Sequence, residues 1–221
     1  MNKYLERLLS LPKSLYVSLR YCKNIPFWRL PVLVRWNCRV SGNGLIIMHN
    51  IRRGDRLTVG FGNVGIYDKH FSPSILEING QICVEGKASF GHGARIAVLE
   101  GGTLLIGDGV ISTCEVRIVC ANRITIGRRA LLGWETTIID TDFHSTIHLE
   151  THEESTVSLP IEIGENVWSG QRSTFLKGSV IPNGCVIASC AVVTKPFQEE
   201  YALIAGNPAV IKKRHITLWR R

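Results

Sequence analysis

One short segment of this chain carries groups able to move a proton. Residues 141–144 read Thr-Asp-Phe-His, and an unperturbed imidazole, with a pKa of about 6.5, is a base suited to neutral pH. Asp142 lies two residues before His144, on the same side of an extended chain. It is read as orienting the ring or stabilising imidazolium. Asp140 shares that parity and is the weaker carboxylate candidate, placed with the substrate pocket. His144, His148 and His152 are spaced by four, which on a helix would suggest metal ligands. No helix is expected there, so no metal site is assigned. No serine or cysteine pairs with a base at a recognisable spacing, so no covalent intermediate is expected.

The elements that must hold these groups are written in the spacing of the apolar residues. From Ile163 onward the chain counts in sixes: Ile163, Ser169, Phe175, Ile181, Ile187 and Val193. Four residues after each of the first five stands a compact residue: Val167, Ser173, Ser179, Cys185 and Ala191. A helix repeats near 3.6 and a half-buried strand at 2, so neither alone gives this period. A short strand plus a sharp turn does, and its repetition marks a stacked β-helix. Earlier groups keep the same count: Ile78, Val84, Phe90 and Ile96, then Ile106, Ser112 and Ile118, then Ile126, Leu132 and Ile138. Slips at 102–105 and 124–125 are expected to be small corner insertions. Residues 145–162 are polar and lack the sixes, which predicts an extruded loop on the binding face.

Length and charge bound the rest. The chain has 221 residues and a net charge of +8. Residues 1–39 hold eight Lys or Arg against Glu6 alone, whereas the repeat body is near neutral. No nucleic-acid motif accompanies this basicity, so nucleic acid is not an expected partner. Residues 1–40 read as a basic, amphipathic arm, helical over about 1–20 and interrupted by Pro12, with Leu5, Leu8, Leu9, Leu15 and Leu19 roughly on one side. Two expectations stand for it: a cap over the end of the β-helix, or a peripheral contact with an anionic membrane. The seven cysteines are scattered without a C-x-x-C pair. Cys83, Cys114, Cys120, Cys185 and Cys190 are read as packing residues, and the protein as cytoplasmic, membrane-associated if the arm binds lipid.

Four segments in order resemble the hexapeptide-repeat acyltransferases, and within them the bacterial polysaccharide O-acetyltransferases. They are Thr141-Asp142-Phe143-His144, Ile163-Gly164-Glu165-Asn166-Val167-Trp168, Val192-Val193-Thr194-Lys195 and Ala205-Gly206-Asn207-Pro208-Ala209. The resemblance covers roughly residues 41–214. It implies an all-β fold, a left-handed parallel β-helix over 41–198, with the N-terminal arm and a C-terminal tail over 199–221. It further implies a homotrimer with acetyl-CoA in the groove between subunits and a saccharide acceptor.

On that resemblance His144 is the general base for acetyl transfer to a sugar hydroxyl. A backbone N–H of the Ser169-Gly170 segment is the simplest oxyanion donor. Trp168, Gln171 and Ser189 fall along the coenzyme track. Thr194, Lys195 and Lys213 would meet coenzyme phosphates or adenine, and Trp134 either walls the acceptor pocket or packs. The chain departs from the family pattern in three places: Ser169 at a normally aliphatic position, Gln171 at a small one, and Ser189-Cys190 in a glycine- and alanine-rich stretch. Two other readings remain, an N-acyltransferase on an amino-sugar nucleotide and a non-catalytic trimeric scaffold.

Overall fold

Side chains of an extended strand alternate between its faces, so each six can send two residues inward and turn a corner with the remainder. A computed structural model describes residues 3–68 and 71–216; the end of the expected tail, 217–221, lies outside the described residues. Successive strands pass to successive sheets of nine, seven and six strands, the three faces of a triangular prism. The first face opens with Val32–Val34, the second with Arg39–Ser41 and the third with Leu45–His49. Pairing is parallel throughout, except that Leu203–Gly206 and Ala209–Lys213 close the first face as an antiparallel pair. The six-spaced residues from Ile163 to Val193 are each at most 1% exposed, and their compact companions are wholly buried.

A coil takes 18 residues near the C-terminus, where Phe175 lies opposite Val193. Earlier coils are longer, with Ile118 opposite Ile138 and Ile96 opposite Ile118. The cause is on the second face. Its strands there bury three residues each, as in Ala94-Ile96-Val98, Val116-Ile118-Cys120 and Thr136-Ile138-Asp140. The expected corner insertion at 124–125 is therefore a wider second face, while that at 102–105 adds to it a corner longer by two residues, from Val98 to Leu104 against Cys120 to Ile124. The lost step shows in the sequence only when the next aliphatic residue falls due. The β-helix also begins earlier than the arm's expected end, because Val32–Val34 already forms a first-coil strand. All three of its residues are buried, so it shows no alternation.

Helix α1 spans Lys3–Tyr21 and runs through Pro12 without a break. The donor that proline lacks falls on the outer side, away from the coil. The underside is polar. Ser10, Ser14 and Ser18, spaced by four, form one stripe along the open edge of the first strand. The Ser14 hydroxyl accepts the Val34 N–H at 3.0 Å and donates to Ser10 O at 2.7 Å. Ser18 Oγ accepts the Val32 N–H at 3.3 Å and Ser10 Oγ the Trp36 N–H at 3.0 Å. Glu6 meets Arg35 beneath the helix at 2.8 Å, both buried.

Candidate active site

The extruded segment leaves the prism at the corner after Thr137–Ile139 and returns at Ile161–Ile163. It is a two-stranded antiparallel ribbon rather than a slack loop. Leu159 N donates to Asp140 O at 3.1 Å, Asp142 N to Val157 O at 2.9 Å and His148 N to Glu153 O at 2.9 Å. His144 is exposed on the outgoing limb. At the tip the His148 ring nitrogen accepts the Glu150 and Thr151 N–H groups at 3.3 and 3.2 Å, which caps the turn. Among the described residues no group of three or more His, Cys, Asp or Glu converges.

The carboxylates separate in role. Asp140 is fully buried, and its two oxygens accept the N–H groups of Ala121 at 2.7 Å and Asn122 at 2.9 Å. It is a tie between coils, which corrects its expected place in a substrate pocket. Asp142 pairs with Lys177 Nζ at 2.5 Å rather than with His144. Lys177 also donates to the Thr156 carbonyl on the returning limb. One lysine from the following coil thus staples both limbs of the ribbon beside His144. Lys177 stands one 18-residue coil before Lys195, so the register that placed Lys195 at a corner would also have found it. Thr194 and Lys195 are exposed at that same corner, one coil on.

The remaining candidates lie across the second face. Trp168 and Ser169 form a short first-face strand, followed by Gly170 and Gln171 at the corner. Trp168 is exposed on the outside, whereas Ser169 points inward and is fully buried. Its hydroxyl lies 3.0 Å from that of Thr136 and accepts the Gly133 N–H at 3.2 Å. That interior bonding explains how a hydroxyl is tolerated at an aliphatic position, and it turns the side chain away from any ligand. The Gly170 N–H donates to Ile187 O at 2.7 Å, so it is not free to hold an oxyanion. The Gln171 N–H, one residue on, takes no backbone carbonyl among the described residues. Coils approach closely here: a Cβ on Gly170 would stand 2.6 Å from the Ser189 amide nitrogen. Ser189 is exposed beside it.

A further set of groups decorates this corner, and the spacing of sixes gave no sign of it. The register stacks Glu115, Glu135, Arg172 and Cys190, each with positive φ between 54° and 61°. Arg172 is bidentate on Glu135, at 3.0 and 3.2 Å, and the Tyr67 hydroxyl donates to the same carboxylate. Arg172 and then Tyr67 hold the Glu135 carboxyl below its ordinary range. Burial, reinforced by Glu135, pushes the Tyr67 phenol up to about 12. The Trp134 ring meets Tyr67 edge to face at 6.2 Å, as does His92. Trp134 is therefore a packed, half-buried wall of this corner. At the C-terminal end Lys213 is exposed on the last strand, and Arg214 is paired with Glu199 at 2.6 Å.

The sequence-predicted residues thus fall into two groups. Asp142, His144, Thr194 and Lys195 line one edge of the second face; Trp134, Gln171 and Ser189 line the other, with Trp168 adjoining on the first face. The strands between them are two or three residues long, and with their flanking corner residues they set the edges roughly 15–20 Å apart.

No family model matches the chain. It is 28% identical over 160 residues to the putative lipopolysaccharide biosynthesis O-acetyl transferase WbbJ of Escherichia coli K12, covering 67% of this chain and 81% of the relative. It is 30% identical over 167 residues to an uncharacterised 24.8 kDa protein in the cps region of Klebsiella pneumoniae, covering 75% and 72%. Among solved structures, the polySia-specific acetyltransferase NeuO matches with a TM-score of 0.55 at 18% identity, over 84% of this chain and 89% of the other. The polysialic acid O-acetyltransferase OatWY matches with a TM-score of 0.50 at 24% identity, over 86% and 87%. These last two establish a shared fold. With its coils, corners and sixes as described, the chain belongs to the hexapeptide-repeat acyltransferases, enzymes built on a left-handed parallel β-helix, and among them it is similar to proteins named as bacterial polysaccharide O-acetyltransferases.

Proposed function

We propose that this chain transfers the acetyl group of acetyl-CoA to a hydroxyl of a saccharide in surface polysaccharide synthesis, as a homotrimer with one site per subunit boundary. The observation that carries the reading is the split of the candidate residues between two edges of one face, at matching heights in the last three coils. His144, Thr194 and Lys195 on one edge and Trp168, Gln171 and Ser189 on the other cannot close on one ligand within one chain. They can meet where the edge of one copy lies against the opposite edge of the next. The acceptor class rests on relatives named for lipopolysaccharide synthesis and for a cps region.

In this mechanism His144 takes the proton of the acceptor hydroxyl as its oxygen attacks the thioester carbonyl. The Gln171 N–H donates to the oxyanion of the tetrahedral intermediate. Collapse breaks the carbon–sulfur bond, and imidazolium returns the proton to the departing thiolate. Lys177 acts through Asp142 and Thr156 as a positioning residue. Thr194, Lys195 and Lys213 offer donors and cations for the coenzyme's phosphates.

Calorimetric titration with acetyl-CoA, alongside the mass in solution, tests the donor and the assembly. The expected result is a trimer binding one acetyl-CoA per subunit. His144→Ala should keep that affinity and lose about 100-fold or more in turnover. A trimer that ignores acetyl-CoA would refute acyl transfer, and a fully active His144→Ala would refute the base.

A further inference from the structure

A surface helix of a globular protein normally turns its apolar stripe to the core and its polar face to water. Helix α1 does the reverse. Its buried positions are Glu6, Ser10, Ser14, Val17, Ser18 and Tyr21. The polar underside is stable because serine hydroxyls satisfy a strand edge that no neighbouring strand covers. At 100° per residue, Leu5, Leu8, Leu9, Leu15 and Leu19 share with Tyr4 and Tyr16 an outer arc of about 140° that contains no charged side chain. Leu8 is 62% exposed and Leu19 55%. The apolar surface continues in the turn after the helix, where Phe27 and Trp28 pack edge to face at 5.3 Å and Trp28 is 72% exposed.

Cations flank this arc. Arg7 stands on one flank of the helix and Arg20 on the other, where it also donates to Asn43 Oδ1 at 2.7 Å, whereas Lys13 is turned down onto the Trp36 and Cys38 carbonyls at 3.0 and 2.6 Å. Arg7 also lines a groove of about 550 Å³ shared with Arg56 and Lys87, which extends the positive surface onto the first face. The acid on the helix, Glu6, is already held by Arg35. A second copy docked on the same arc would bring like charges together at both flanks. A bilayer surface offers apolar depth for the leucines and anionic headgroups for the cations.

We propose that α1 lies flat in the surface of an anionic lipid bilayer, leucine arc inward, and holds the β-helix against the membrane by its first-coil end. This goes beyond the acyl-transfer reading and stands independently of it. The test is flotation of the full chain with vesicles of phosphatidylcholine alone and of phosphatidylcholine mixed with phosphatidylglycerol. The wild type should bind the mixed vesicles at least about tenfold more tightly than the neutral ones, with the difference shrinking as salt is added. The triple variant Leu8→Gln/Leu15→Gln/Leu19→Gln changes only exposed side chains. It should lose at least about tenfold in vesicle binding while keeping its mass in solution and melting temperature. Wild type that shows no preference for anionic vesicles would overturn the proposal. So would a triple variant that binds like wild type, or one whose mass falls, which would make the arc a contact between copies.

Discussion

Lys177→Met removes one ammonium and keeps most of the side chain's bulk. In the structure that ammonium lies 2.5 Å from Asp142 Oδ2 and also donates to the Thr156 carbonyl, so it joins the two limbs of the ribbon that carries His144. The Asp142 side chain is 53% exposed and that of Lys177 20%. Solvent screening therefore limits the ion pair to about 1 kcal/mol or less. The hydrogen bond adds roughly 0.5–1.5 kcal/mol. A chain of this size loses about 2–4 °C of melting temperature per kcal/mol, so the variant should melt only a few degrees lower. The rate should suffer far more. A slackened ribbon moves the base, and a misplacement of about 1 Å can lower a rate by up to about 100-fold. The expected result is a fall in kcat of about 10- to 100-fold with KM for acetyl-CoA nearly unchanged, and partial recovery in Lys177→Arg. Product acetylation is followed by chromatography, using whichever saccharide of a panel supports wild-type turnover. An unchanged kcat would refute the staple. A raised KM for acetyl-CoA with kcat intact would make Lys177 a coenzyme ligand instead.

Two further outcomes follow from the buried chemistry. Glu6→Leu leaves the Arg35 guanidinium buried without its carboxylate and should cost about 3–5 kcal/mol in chemical denaturation; Glu6→Leu/Arg35→Met should recover most of that, and a loss in the double variant larger than in the single would count against the pairing. Burial pushes the Cys38, Cys114 and Cys120 thiols up to about 12, whereas Cys190 is the exposed cysteine. At pH 8 a thiol reagent should modify one cysteine rapidly in the folded protein, and Cys190→Ser should abolish that phase; rapid modification persisting in the variant would place the reactive thiol elsewhere.

The repeat was legible because inward positions are filled mostly by aliphatic or compact residues, and every six-spaced residue after Ile163 is buried. Asp140 misled for the same reason that the count worked. Its parity with Asp142 and His144 was read along a single straight strand. The chain leaves the prism at Asp140, so Asp140 ends the inward series of Thr136 and Ile138 while His144 sits on a different element. The Tyr67, Glu135 and Arg172 cluster was invisible because it depends on stacking between coils and on a long excursion before Ile75. Spacing along the chain does not encode which corner residues lie one above another. In α1 the leucines drew attention to one side of the helix, and the serines opposite were the side that binds the fold. Ser10, Ser14 and Ser18 at intervals of four were the available signal, meaningful only once an open strand edge is known to need donors and acceptors.

The serine ladder has a consequence for how the protein behaves in a crowded solution. A parallel β-helix ends in exposed rows of amide and carbonyl groups, each a template for another β-helix to stack upon and grow a fibre. Here the opening turn is closed by side chains rather than by another strand. Ser10, Ser14 and Ser18 occupy the first face, Lys13 Nζ takes the Cys38 carbonyl at 2.6 Å, and Asn24 bridges both the N–H and the carbonyl of Met48 on the third face. At the far end the first face finishes in an antiparallel strand that bears Lys212 and Lys213, charges that repel an incoming edge. The same helix that turns leucine outward thus also closes the edge of the first coil to an added strand.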